Sequence, residues 1–71
     1  MDTEYVKDFT GNMIGIIEYK NNGDWVVRDF ASKTILGFYR KAEDHTTNFV
    51  GTIVSKGNTA ISLIYKFHHL A

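Results

Sequence analysis

Three histidines, eight carboxylates and a single tryptophan are the side chains in this 71-residue chain that could be put to chemical use. The histidines are His45, His68 and His69. His68 and His69 are adjacent, so on a strand they point to opposite faces, and either one with a distant His45 makes a poor metal constellation. They read as an exposed pair near the end of the chain. Glu4, Asp24, Glu43 and Asp44 fall in turn or terminal positions, so no carboxylate pair is placed inside a pocket for acid–base work. There is no cysteine, and no serine stands in a nucleophile-elbow context. "NNGD" and "SKGN" are hairpin turns, without the length or following helix of a phosphate loop. The expectation is a non-enzymatic protein with no catalytic residue, no metal ligand set and no cofactor. Trp25 offers a different chemistry. It starts a strand after the "NNGD" turn, and an indole combines a large apolar surface with one N–H, which suits interfaces and clefts for apolar ligands. Val27 shares its face if the strand is regular. Trp25 and Val27 are the candidate ligand-binding residues, set against the plainer reading of Trp25 as a half-buried core aromatic.

The elements that must carry these residues are short strands. Glycine–asparagine pairs mark turns at Gly11-Asn12, Asn22-Gly23 and Gly57-Asn58, since both residues tolerate the left-handed backbone of tight hairpins. Strands are expected over residues 3–8, 13–20, 24–29, 35–41, 49–55 and 59–68. Alternation supports them: Met13, Gly15, Ile17 and Tyr19 face one way, and Ile14, Ile16, Glu18 and Lys20 the other. Residues 59–68 alternate as Ile61, Leu63, Tyr65 and Phe67. A helix is the rival there, because Ala60, Ile64 and Phe67 also fit a helical stripe, but β-branched and aromatic residues favour the strand. "KAEDHTTN" reads as a loop with at most one helical turn. Connections of two to four residues make consecutive strands an antiparallel meander.

The chain repeats itself. "YVKDFTGNMIGII" returns as "VVRDFASKTILGFY". The stretches "MIGII", "ILGFY" and "FVGTI" align as apolar residues around a glycine, the third with Asn48-Phe49 as a compressed form of the Asp-Phe lead. Three degenerate hairpin units follow, over about 3–20, 24–41 and 48–68, within one small β domain spanning 1–71. A glycine inside a strand weakens it, so Gly15, Gly37 and Gly51 are expected to mark close approaches and to resist valine. Asp8 and Asp29 precede turns, where a carboxylate accepts backbone N–H bonds two residues on. Their expected role is structural.

Totals constrain the partners. Basic and acidic residues balance at 8 and 8, with no excess for phosphate neutralisation. A small β-barrel binding nucleic acid through Phe38, Tyr39, Arg40 and Lys41 of "GFYRK", or a peptide through an edge strand, is the alternative reading. Nucleic acid is disfavoured by this balance and by Glu43 and Asp44 close behind. No apolar run is long enough for a membrane span, and "MDTEYVKDF" lacks the basic and apolar regions of a signal peptide. The expected location is cytoplasmic. A chain this short buries little of its surface, and without disulfides a partner subunit is the remaining stabiliser.

The repeats "D-F-x-G-x-x-I-G-x-I", "G-D-W-V-V-R-D-F" and "T-I-L-G-F-Y" resemble those of the bacterial four-fold β-flower proteins, over roughly residues 5–55. That resemblance implies small hairpin repeats assembled as a homotetramer about a central axis, with no established enzymatic activity. In such an assembly Trp25 becomes a ring of four, able to grip an elongated apolar or amphipathic molecule. The fold expectation is therefore all-β: an antiparallel meander of short hairpin repeats completed by homo-oligomerisation.

Overall fold

The computed structural model describes residues 2–70. Six strands form one antiparallel sheet in strict chain order: β1 (Asp2–Lys7), β2 (Met13–Tyr19), β3 (Trp25–Asp29), β4 (Ile35–Arg40), β5 (His45–Asn48) and β6 (Ile53–Lys56). A helix, α1 (Ala60–Phe67), closes the described chain. The meander is as expected, and the sheet is open: β1 and β6 are its two edges and do not pair with each other.

Two expected elements are corrected. Within the expected strand 59–68 the chain forms α1 (Ala60–Phe67) instead. The side chains that decide it are Ala60 and Ile64, four apart and fully buried, whereas Ile61 and Phe67 are exposed. Burial at helical spacing overrides the strand propensity of the segment. The fifth strand lies in the expected loop, as His45–Asn48, where Thr46 and Thr47 are buried. Phe49–Thr52, expected as strand, is the turn before β6.

That turn also corrects the register of the third repeat. In the β1–β2 turn Asp8 Oδ1 accepts the N–H of Thr10 at 2.9 Å and of Asn12 at 3.0 Å. In the β5–β6 turn Asn48 Oδ1 accepts the N–H of Val50 at 3.1 Å and of Thr52 at 3.0 Å. The backbone bonds match as well: Gly11 N to Asp8 O and Gly51 N to Asn48 O are both 3.1 Å. Asn48 thus stands where the first unit has Asp8, and Gly51 corresponds to Gly11, with φ +95 and +92. The β3–β4 turn has one residue more. Asp29 Oδ2 accepts the Ser32 N–H at 2.9 Å, and Lys33 takes the left-handed position at φ 64. Asp8 and Asp29 therefore fill the structural role expected of them.

Gly15 and Gly37 do mark close approaches: at Gly15 the approaching element is α1, and at Gly37 it is first the β5 backbone at the Thr47 carbonyl and then α1. Register places Gly15, Val27 and Gly37 on one face of three neighbouring strands. A Cβ at Gly15 would stand 2.8 Å from both Cγ atoms of Ile64, and one at Gly37 would stand 2.6 Å from a Leu63 methyl. The two glycines make a trough, Val27 is its floor, and the helix lies in it. Gly51 has open space where its Cβ would be. The expectation that it marks a contact is withdrawn; its left-handed φ is what requires glycine there.

The start of α1 is held by Thr46, whose hydroxyl donates to Gly57 O at 2.9 Å and accepts from Thr59 N at 3.0 Å. Its other end is held by His68. The expectation of an exposed His68–His69 pair fails for His68, whose Nε2 lies 2.8 Å from Asp29 Oδ1 and 3.0 Å from Ile14 O. Two acceptors around one ring nitrogen require that nitrogen to carry the proton. The core between sheet and helix is Val6, Ile14, Ile17, Val27, Ala60 and Ile64.

Candidate functional site

Trp25 sits in an aromatic row on the helix face of the sheet. The register pairs Tyr19 with Trp25 and Trp25 with Tyr39 directly across three strands. The rings meet edge to face, with centroids 5.0 Å apart for Tyr19–Trp25 and 6.0 Å for Trp25–Tyr39. This geometry opposes positive ring edges to negative faces, so the row packs as a unit. Trp25 is half-buried, and all three rings rest against the core.

The phenols at the two ends are fixed by carboxylates. Tyr19 donates its hydroxyl to Glu4, and that bond pushes its pKa up to about 12. Tyr39 donates to Asp44 Oδ1 at 2.7 Å, which likewise raises its pKa. Both phenols are therefore neutral donors at neutral pH. The adjoining "NNGD" turn is equally fixed. Asp24 accepts the Lys41 N–H at 2.9 Å and lies 3.5 Å from the Arg40 guanidinium; the Lys41 bond chiefly lowers its pKa.

Val27 lies on the same face as Trp25, two residues on, but is fully buried beneath α1. Of the two candidate ligand-binding residues, Trp25 alone retains exposed surface; Val27 supports it from below. The "GFYRK" stretch divides as expected, with Phe38 and Tyr39 on opposite faces. Arg40 stacks over the Phe38 ring at 4.6 Å, and its guanidinium also reaches Asp24. Among the described residues no group of three or more His, Asp, Glu or Cys is arranged to hold a metal ion. Among the described residues no helix is long and apolar enough to cross a membrane.

Concave surface is found at the other end of the sheet, where the β1–β2, β3–β4 and β5–β6 turns gather with the end of α1. One groove of about 380 Å³ is lined by Lys7, Asp8, Phe9, Tyr65 and Leu70. A second, of about 370 Å³, lies between α1 and the turns, among Ile35, Leu36, Phe49, Leu63, Lys66 and Phe67. Trp25 lines neither. The sequence carried a partial signal for these grooves: Phe9 and Phe49 follow the turn-capping Asp8 and Asn48 and stay exposed, whereas Phe30, which follows Asp29, packs edge to face on Tyr5 of β1.

Comparison with protein-family models, with curated proteins and with solved structures finds no match to this chain.

Proposed function

We propose that this chain is a non-enzymatic, self-associating binding module, a homotetramer of the β-flower kind. Trp25 with its tyrosine neighbours would lie near the shared centre and grip an elongated apolar or amphipathic molecule. The observation that supports this reading best is the open sheet. Both edge strands keep an unpaired row of backbone donors and acceptors, and proteins normally blunt such edges by charge, proline or closure. β6 has a single charge, Lys56, beside exposed Ile53 and Val54, at 59% and 47% exposure. The meander alternates direction, so β6 of one copy placed beside β1 of the next would continue the antiparallel order. Such head-to-tail contacts close into a ring when the rotation between copies closes, as a tetramer would require.

The aromatic row supports the ligand half of the reading. Its phenols and the Asp24 turn are internally bonded, which leaves the exposed indole edge as its free apolar surface. The test is a pair of substitutions on exposed β6 side chains, Ile53→Lys and Val54→Lys, followed by mass in solution from light scattering. Loss of the higher mass with an unchanged melting profile supports edge pairing. An unchanged oligomer rejects it.

A further inference from the structure

The Asn22-Gly23 pair in the turn before Trp25 is chemically reactive as well as a turn signal. A backbone nitrogen that follows an asparagine can attack the side-chain carbonyl carbon, and a Cβ on the following residue hinders that approach. Glycine removes the hindrance. The chain has five asparagines, at positions 12, 21, 22, 48 and 58, and only Asn22 precedes glycine. The others precede Met13, Asn22, Phe49 and Thr59. Asn22 is also exposed to water.

The fold restrains this pair and makes its neighbours depend on it. Asn22 Oδ1 accepts the Asp24 N–H at 3.0 Å, and Nδ2 donates to Asp24 Oδ2 at 3.3 Å. The attacking nitrogen is occupied, because the Gly23 N–H donates to Lys20 O at 3.0 Å. The aliphatic stem of Lys41 also lies against Gly23. Attack therefore requires the turn to open first. The Lys20 N–H donates to Asp24 O at 2.8 Å, and that bond closes only over a turn of this length. Asp24 in turn accepts the Lys41 N–H at 2.9 Å and lies 3.5 Å from the Arg40 guanidinium, which ties this turn to the next.

We infer that Asn22 is a site of spontaneous deamidation, gated by opening of its turn, and that the product unclasps Asp24 beside Trp25. Once the bond to Lys20 opens, hydroxide takes the Gly23 amide proton and the nitrogen attacks Asn22 Cγ. The new N–Cγ bond closes a cyclic imide. The Cγ–Nδ2 bond breaks, and Nδ2 leaves as ammonia with a proton from water, which restores the hydroxide. Water then adds to either imide carbonyl. Breaking the N–Cγ bond leaves aspartate at this position, and breaking the bond to the main-chain carbonyl carbon leaves isoaspartate. Neither product fits the turn. In aspartate the Nδ2 donor is replaced by a carboxylate oxygen facing Asp24 Oδ2, and two carboxylates so close oppose each other. In isoaspartate the backbone runs through the side-chain methylene and is one atom longer, so the Lys20–Asp24 pairing no longer closes.

The experiment incubates the full chain in mildly alkaline buffer, with and without guanidinium chloride, and reads intact mass and a peptide map. The expected result is the mass gain of amide-to-acid exchange at Asn22, several-fold faster in denaturant, where the turn is open. Asn22→Ser should abolish it. The deamidated chain, separated by anion exchange, should melt several degrees below the starting chain. Asn22→Asp should also lower the melting temperature, and by less when combined with Asp24→Asn, since the opposing charge is then absent. An intact Asn22, or equal modification of all five asparagines, overturns the site. Equal rates with and without denaturant overturn the gate. A product that melts like the starting chain overturns the effect on Asp24.

Discussion

Gly15 and Ile64 occupy the same space by turns: the strand gives up its side chain where the helix places its most buried one. Ile64 is fully buried over a glycine whose Cβ would collide with it. The contact joins residues far apart in the chain and fixes where α1 lies on the sheet.

This relationship predicts a measurable coupling. Gly15→Ala should destabilise the protein by roughly 1–3 kcal/mol through overpacking, and Ile64→Ala by roughly 2–5 kcal/mol through lost burial and a cavity. In the double variant the new methyl enters the space Ile64 vacated, so the two costs should fall short of their sum by roughly 0.5–3 kcal/mol. Urea unfolding of the four proteins measures it. Strict additivity would mean that the helix is not seated on Gly15. At Gly51 strain governs instead of space, so Gly51→Asn should cost less than about 1 kcal/mol and Gly51→Val more, because asparagine visits the left-handed region and β-branched residues do not.

Much of this was visible in the residues before the structure, and the failures have physical causes. The first two hairpin units are clear because Asp8 and Asp29 are followed by turn residues and alternating strands. The third unit reads out of register in the sequence because Asn48 does with an amide what Asp8 does with a carboxylate, so Gly51 aligns with Gly15 although its turn matches that of Gly11. The short strand His45–Asn48 is polar, and its buried threonines are satisfied by hydrogen bonds that local pattern cannot reveal. The segment Ala60–Phe67 fits both periods. What decides between them is the trough made by Gly15 and Gly37, two residues remote in sequence from the helix they admit. Trp25 was found as an aromatic half in and half out of the core, and its tyrosine neighbours follow from strand pairing. The exposed phenylalanines of the turns were seen as part of the repeat but not as a surface.

Acid should unfold the protein through its turns. Asp8, Asp24 and Asp29 all have pKa values lowered below the ordinary 3.8, mainly by a Thr10 hydroxyl bond, the Lys41 N–H and the Ser32 N–H respectively. Each binds its proton less readily when folded than when unfolded. Their contribution is therefore complete above about pH 4 and is lost as pH falls through the lowered values. The melting temperature should be level near neutrality and drop steeply below about pH 4. Asp29→Asn should be less stable at neutral pH and lose less on acidification. Parallel pH profiles for the variant and wild type would contradict this.

Base should act through Tyr19. Its pKa is raised from 10.0 to about 12 chiefly by the bond to Glu4. The stabilisation this bond gives is complete below pH 10 and is lost as pH climbs towards 12. An ultraviolet titration of phenolate absorbance should show late ionisation of Tyr19 and Tyr39, and Glu4→Gln should bring Tyr19 alone back towards its ordinary value. An unchanged titration curve in that variant would reject the assignment.

Trp25→Ala should weaken assembly or retention of an apolar ligand more than any single charge substitution does. It removes the middle ring of the Tyr19–Trp25–Tyr39 row, so a loss of roughly 3–5 kcal/mol in stability is expected as well. Trp25→Phe separates the two effects, because it restores the edge-to-face contacts and leaves a smaller exposed edge. Full ligand retention by Trp25→Ala would remove Trp25 from any binding site.

Native mass spectrometry on protein prepared without detergent or polymer additives tests the self-association claim most directly. The account predicts the mass of four chains, with any excess being a retained apolar or amphipathic molecule released on unfolding. A single-chain mass at all concentrations would contradict it, and with it the placement of Trp25 at a shared centre.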